Sequence, residues 1–434
     1  MGMRKLKIAV IGAGSTYTPE LVEGFISRKN SLDIDSFYFM DIDRNKLEVV
    51  GELSKRMLEA NGITSRLIMT QSLEEAIEGA DYILAQVRVG GLDARIRDEK
   101  IPLKYNLLGQ ETTGAGGFMK ALRTIPVIMD VAKKMERLAP KSWLINFSNP
   151  SGIVAETVLN QTGINMMGLC NVPINMVKAI KDTLPENTKQ FDYEYIGLNH
   201  LSWITGIYAD GRDLLKEQLC GKAELSTFKN IPEVVYEDIL LKATGAIPSP
   251  YLSYFYLRDE QIKHCMEAEK TRGEVCKEIE ADLLNKYKDV NLTDKPLLLE
   301  QRGGSMYSTA AISLVDAIEN NKNEVHVVNV KNNGALSFMD DNDVVEVKCL
   351  INKNGATPIK MENFDNPYII GLMKAVKVYE KLTSKAGLEG NYETALAALL
   401  AHPLIGDYHK AKGVLDEMLE ANRDFLPQFF KGER

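Results

Sequence analysis

The sequence predicts a doubly wound α/β fold, a parallel sheet wrapped by crossover helices, followed by an α+β half with a helical C-terminus. Three observations predict it. Short β-rich runs alternate with helical stretches over about the first 185 residues. Those runs are nearly continuous in apolar residues, as strands covered on both faces require. From about Tyr193 the texture changes to hairpin-like runs and mixed helix.

In chain order, the expected strands are Lys7–Ile11, Ser36–Met40, Asp81–Val87, Trp143–Phe147 and Met166–Leu169. Between them Pro19–Ser27, Arg44–Ala60, Leu73–Glu78, Gly117–Leu138 and Ile153–Gln161 carry helical spacing, several opening near an Asp, Ser or Thr able to cap the first turn. Later strands fall at Glu324–Val330 and Val344–Ile351, beside the turn signals Asn332-Asn333-Gly334 and Asn354-Gly355. Pro367 to Phe430 reads as amphipathic helix, and the nearly all-apolar Ala395–Ala401 is expected against another helix or another subunit. No internal repeat or low-complexity linker interrupts the chain, so two continuous parts are expected, residues 1–190 and 191–434.

Of the 434 residues, 45% are hydrophobic and 26% charged, which permits a large core and excludes disordered, collagen-like and disulfide-dense classes. With 52 basic and 60 acidic residues the formal net charge is −8. No long-range field therefore draws in nucleic acid or anionic lipid, and any phosphate must meet a local basic site. Five cysteines, at 170, 220, 265, 276 and 349, form no CxxC pair, which suits a reducing cytoplasm. The apolar Ile8–Ile11 is too short for a signal segment, and nothing approaches the ~18 apolar residues of a membrane span.

Ile8 to Pro19 reads strand, glycine turn, helix start. Gly12 permits the tight turn, Gly14 lets a pyrophosphate approach the main chain, and Ser15 and Thr16 lead into a helix whose first N–H groups face the anion. Asp41 follows the next strand, where a carboxylate accepts from an adenosine ribose and repels the extra phosphate of NADP. Tyr17 stands where the usual fingerprint has its third glycine and requires a wider strand–helix junction. A purely structural glycine turn is the alternative for these residues.

Residues 86–117, dense in Arg, Gly and acids, have the composition of a binding loop. Arg88, Arg95, Arg97 and Lys104 bring positive charge suited to a small phosphorylated ligand, or else form a solvated, salt-bridged loop. Asn146-Phe147-Ser148-Asn149-Pro150 and Cys170-Asn171-Val172-Pro173 end successive strands, where open α/β sheets bind ligands. Asn149 suits sugar hydroxyls, and Cys170 is expected to be partly exposed. Gly197-Leu198-Asn199-His200 adds an imidazole; with Cys170 it could hold a divalent metal, the alternative being a buried cysteine and a satisfied core histidine.

Gly12-Ala13-Gly14-Ser15, the Arg88-to-Gly117 loop with its Gly109-Gln110-Glu111-Thr112, the Asn146 and Cys170 motifs, Gly197-Leu198-Asn199-His200 and Arg302-Gly303-Gly304 together resemble the family 4 glycoside hydrolases. They lie in family order and span about two thirds of the chain. The resemblance implies a Rossmann-type NAD-binding half, 1–190, and a catalytic, substrate and oligomerisation half, 191–434. It implies NAD and a divalent metal, typically Mn2+, held by Cys170 and His200, although thiolate plus imidazole alone would suggest zinc. It implies a tyrosine base, best matched by Tyr251, with Tyr254 and Tyr256 nearby. Substrate contacts are expected from Arg95, Glu111, Asn149, Asn171 and Arg302, with Arg95 and Arg302 for the phosphate.

Members acting on 6-phospho-α-glucosides usually carry Cys-Asp-Met-Pro; Cys170-Asn171-Val172-Pro173 resembles the 6-phospho-β-glucosidase branch. The implied reaction is an oxidation-assisted elimination. Hydride passes from C3 to NAD, the acidified C2 proton is removed, the leaving group departs from C1, water adds and the hydride returns. The expected substrates are phosphorylated disaccharides such as cellobiose 6-phosphate, or aryl glucosides, handled by a cytoplasmic homodimer or homotetramer with no nucleic-acid or membrane partner. The rival is an NAD-dependent dehydrogenase of a hydroxy acid or sugar phosphate, whose first ~150 residues would look similar.

Overall fold

The computed structural model describes residues 4–219, 235–303 and 307–431; Cys220 and Gly304 lie outside them. Five strands form where the apolar runs predict a sheet covered on both faces, β1 (Lys5–Ile11), β2 (Asp33–Met40), β4 (Tyr82–Ala85), β5 (Trp143–Asn146) and β6 (Asn165–Gly168), and a further one, β3 (Arg66–Thr70), joins them. They pair in parallel in the order β3-β2-β1-β4-β5-β6. The order reverses between β1 and β4, so the carboxyl ends of these strands open onto the crevice where such sheets bind ligands.

The crossovers are α1 (Thr18–Ile26), α2 (Arg44–Ala60), α3 (Leu73–Ile77), α4 (Gly91–Lys100), α5 (Gly114–Leu138), α6 (Ser151–Gln161) and α7 (Val172–Asp182). Residues 86–117, expected as loop, contain α4 and a 3-10 turn, Pro102–Tyr105, and α5 begins at Gly114 instead of Gly117. The charges that suggested a solvated loop are partly internal: Arg95, Asp98 and Glu99 of α4 are buried. β3 went unread because it is a five-residue edge strand with no fully buried position.

A second, smaller sheet is built from β7 (Phe191–Leu198), β8 (Leu201–Ala209) and the two-residue strands β9 (Arg212–Asp213) and β10 (Ile247–Pro248). The later strands β11 (Glu324–Lys331), β12 (Val344–Asn352) and β13 (Gly355–Pro358) return to the first sheet, extending it to nine strands with antiparallel pairing. β11 meets β6 through Asn329 opposite Gly168, and β12 packs against β7. Helices Pro367–Glu389, Tyr392–Ala401 and Tyr408–Ala421 complete the C-terminus. Ala395, Ala398 and Leu399 are buried there, while Leu400 is exposed. Among the described residues no helix is long and apolar enough to cross a membrane.

Candidate active site

The nucleotide loop is shaped by two glycines. Gly12 has φ +85°, the left-handed region, and a Cβ there would lie 2.9 Å from the Gln86 carbonyl oxygen. A Cβ on Gly14 would lie 2.9 Å from Asp41 Oδ2. That oxygen instead accepts from the Gly14 N–H at 2.8 Å, and Asp41 Oδ1 accepts from the Asp43 N–H at 2.9 Å. Two donated bonds leave lone pairs on the carboxylate for ribose hydroxyls. Burial pushes the Asp41 carboxyl up, against those two N–H bonds. The cradle thus fits a dinucleotide on its own geometry.

The second half grips this loop from outside. Tyr287 OH donates to the Thr16 carbonyl at 2.8 Å, Arg302 Nη1 donates to Thr16 Oγ1, and Arg302 Nη2 meets Glu280 at 2.9 Å. Ser15 Oγ accepts from the Tyr17 N–H at 3.3 Å. The Tyr17 ring is turned against the Arg302 guanidinium, 5.0 Å from its centroid. Arg302, expected at the phosphate, is therefore engaged at the nucleotide loop.

Around Glu111 three cations converge. Arg88 Nη1 donates to Oε2, Lys120 Nζ lies 2.8 Å from Oε2 and Arg95 Nη1 lies 3.0 Å from Oε1. Arg95 Nε also bonds Glu99 at 2.8 Å. Burial opposes charge on Glu111, but Arg88, Arg95 and Lys120 outweigh it and hold the carboxyl well below its usual range. Lys120 is pushed down to about 8, by burial first and then by Arg88. The turn carrying Glu111 is tight: Gln110 Oε1 accepts from the Thr112 and Thr113 N–H groups at 2.6 and 2.7 Å. Gly116 and Gly117 let α5 start directly beneath it, since a Cβ on either would strike Gln110 or Thr112 backbone.

Cys170 follows β6 and His200 sits in the two-residue turn between Leu198 and Leu201, which pair across β7 and β8. His200 has φ +65° and is buried, its Nδ1 without a hydrogen-bond partner. Its ring stacks on Tyr251, centroids 3.9 Å apart and planes 15° apart. Burial first and Lys120 second lower the imidazole to about 3, so it is neutral. Cys170, expected to be partly exposed, is only 2% exposed: it lies in a core cluster with Tyr195, Tyr251 and Val327. Burial, then Glu346, pushes its thiol well up. Burial and Cys170 likewise push the Tyr251 phenol up, opposed by the Thr112 hydroxyl and Arg95.

A neutral, orphaned imidazole nitrogen near a thiol fits a metal. Among the described residues no third His, Cys, Asp or Glu joins them, so the protein offers two donors and leaves the remaining positions to other oxygens. Asn149 is half-buried with Oδ1 unpartnered, and Asn171 is buried at the start of α7. Thr112 belongs both to this pocket and to the Glu111 turn, so the sequence-predicted Arg95, Glu111, Cys170, His200 and Tyr251 converge, while Gly12, Gly14, Asp41 and Arg302 form the neighbouring nucleotide loop. Sequence reasoning missed Lys120, Glu280, Tyr287 and Glu346. Lys120 left one signal, a cation inside the otherwise apolar Gly114–Leu122.

Fold and site together define a dinucleotide-binding α/β protein whose chemistry pocket holds a thiol, an imidazole and a phenol. Residues 7–186 match the family 4 glycosyl hydrolase model and residues 195–405 its C-terminal domain. The chain belongs to glycosyl hydrolase family 4. It is 42% identical over 435 residues to the probable 6-phospho-beta-glucosidase of Bacillus subtilis (strain 168), with 98% of each chain covered. The solved 6-phospho-beta glucosidase of Thermotoga maritima with manganese, NAD+ and glucose-6-phosphate matches at a TM-score of 0.89 and 36% identity, covering 97% of this chain and 99% of that one. A solved 6-phospho-alpha-glucosidase from gut microorganisms, with NAD and Mn2+, matches at a TM-score of 0.86 and 26% identity, covering 98% and 100%.

Proposed function

We propose that this protein is an NAD- and Mn2+-dependent 6-phospho-β-glucosidase, acting on aryl 6-phospho-β-glucosides and on phosphorylated disaccharides such as cellobiose 6-phosphate. The observation that carries the reading is the orphaned Nδ1 of buried His200, stacked on Tyr251, whose phenol also meets the Cys170 thiol. Similarity to relatives named as 6-phospho-beta-glucosidases over 97–98% of the chain supports the same conclusion.

When bound, NAD supplies a reversible hydride acceptor and Mn2+ a Lewis acid for the sugar oxygens. Gly12, Gly14, Ser15 and Thr16 cradle the dinucleotide, and Asp41 takes the ribose hydroxyls. Cys170 and His200 hold the metal; burial keeps the imidazole neutral and able to donate its lone pair. Tyr251 removes the C2 proton. Its phenol rests protonated in the metal-free chain, so it becomes a base only when positive charge stands close, as Arg95 already does in part. Asn149 and Asn171 orient sugar hydroxyls. The carboxamide of Asn171 has no proton to give at neutral pH, which suits departure of a leaving group that needs no acid at that position. Arg95, fixed by Glu99 and Glu111, carries the charge for the phosphate.

In this reading residues 1–190 bind NAD and supply Cys170 to the metal, residues 191–434 supply His200 and Tyr251, and the enzyme works in the cytoplasm as a homodimer or homotetramer. The exposed Tyr368, Val378 and Leu400 on the C-terminal helices support assembly.

The test is parallel turnover of α- and β-linked aryl 6-phosphoglucosides, each with and without NAD and Mn2+. The β-linked substrate should turn over only with both additions and without net NADH. NADH accumulating in step with product would make the protein a dehydrogenase instead.

A further inference from the structure

Glu346, on β12, is 1% exposed. Its Oε1 accepts from Asn199 Nδ2 and from Asn329 Nδ2, each at 3.2 Å, and its Oε2 from Tyr195 OH at 2.7 Å. These partners are neutral, and among the described residues no cation pairs with it. A buried carboxylate without a cation is costly, and a dication close by offsets that cost.

Its hydrogen bonds run to both halves of the thiol–imidazole pair. Asn199 precedes His200 in the turn; its Oδ1 accepts from the Gly152 N–H at 3.3 Å, and its amide stands beside the Cys170 sulfur. Asn329 also donates to the Gly168 carbonyl at 3.3 Å, two residues before Cys170. The approach is close, since a Cβ on Gly168 would lie 3.0 Å from Asn329 Cβ and 2.7 Å from Ser151 Oγ. His200 sits at φ +65°, where histidine is uncommon, so the turn depends on its surroundings to hold it. The charge of Glu346 also reaches the Cys170 thiol.

We propose that Glu346 is a positioning residue: through Asn199 and Asn329 it fixes the two segments that carry His200 and Cys170, and its negative charge strengthens their hold on a divalent cation. This rests on the reading of Cys170 and His200 as the metal-holding pair. Outer partners of this kind change metal affinity by about 10- to 100-fold.

Glu346→Gln isolates the charge. The new Oε1 still accepts from Asn199 and Asn329, and the new Nε2 donates to the Tyr195 oxygen, whose proton turns to Ser202 Oγ, now 2.6 Å away. Mn2+ binding is measured by the electron paramagnetic resonance of free Mn2+, with protein saturated in NAD and glucose 6-phosphate. Glu346→Gln should bind Mn2+ about 10- to 100-fold more weakly while its NAD-induced thermal shift stays that of wild type. Tyr195→Phe, which keeps the charge and loses one hydrogen bond, should stay within about threefold of wild type. Equal losses in both variants, or a Glu346→Gln protein that binds Mn2+ as wild type does, overturn the proposal. Should Glu346→Gln not fold, Asn199→Ser, which cuts the link to the His200 turn, is measured with the same expected loss and the same overturning result. A Cys170→Ser protein that binds Mn2+ like wild type overturns the reading of the pair and this inference with it; loss in Cys170→Ser beside an unaltered Glu346→Gln overturns the inference alone.

Discussion

The buried carboxylates Glu111 and Glu346 are held in opposite ways. Glu111 is ringed by Arg88, Arg95 and Lys120, and its carboxyl is held well below the usual range. Among the described residues Glu346 has Tyr195, Asn199 and Asn329 to receive its charge and no cation, and burial pushes it up to about 7. The first region carries surplus positive charge, which suits an anionic substrate. The second carries negative charge short of a cation, which suits a metal. Tyr251 adjoins the first region and the thiol, its phenol acted on by both Glu111 and Cys170.

The largest expected effect falls on the Tyr251 phenol. Tyr251→Phe should lower kcat by about 10²- to 10⁴-fold, the range for losing a general base, with NAD binding unchanged. Steady-state kinetics on an aryl 6-phospho-β-glucoside checks this, and a loss under threefold would move the base elsewhere. Next comes the stability of the cationic region. Glu111→Gln strips Arg88, Arg95 and Lys120 of their shared acceptor and should destabilise the fold by about 3–5 kcal/mol, read by denaturant unfolding.

The sharpest contrast is in pH. Glu346 has a folded pKa of about 7 against an ordinary 4.5, so between those values the folded state binds the extra proton. Its contribution is fully present below 4.5 and is lost as pH rises through about 7, amounting to roughly 3 kcal/mol at most. Glu111 has the opposite sign: its contribution is present above 4.5 and lost only as pH falls through its depressed folded value. Metal-free Glu346→Gln should therefore gain in thermal stability over wild type between pH 5 and pH 8, and a constant offset would contradict this. The smallest effect lies outside both regions. Tyr287→Phe removes one bond to the Thr16 carbonyl, about 0.5–1.5 kcal/mol, and should reduce the NAD-dependent thermal shift slightly.

What was legible in the sequence divides along the same line. Gly12 and Gly14 are read from a short strand–turn–helix stretch because their roles are backbone roles tied to spacing, and Asp41 because its carboxylate falls at the end of the next strand. Motifs single out Cys170, His200 and Tyr251 as candidates, yet the burial of Cys170 is not legible in them, since the Cys170 strand end and Tyr251 meet only in three dimensions. Glu346 was invisible for a clearer reason. In Val344-Val345-Glu346-Val347-Lys348 it alternates as a solvent-facing residue would, but β7 packs over that strand and closes it in. Arg302 shows the converse: its residue type suited phosphate, but Thr16, Tyr17 and Glu280 engage it at the nucleotide loop.

Turnover in D2O tests the central claim most directly, with the glucose 6-phosphate product analysed by NMR. Removal of the C2 proton by Tyr251 and its return from solvent should place deuterium at C2 while no NADH accumulates. Product that carries only protium at C2, formed at full rate, would contradict an oxidation-assisted route.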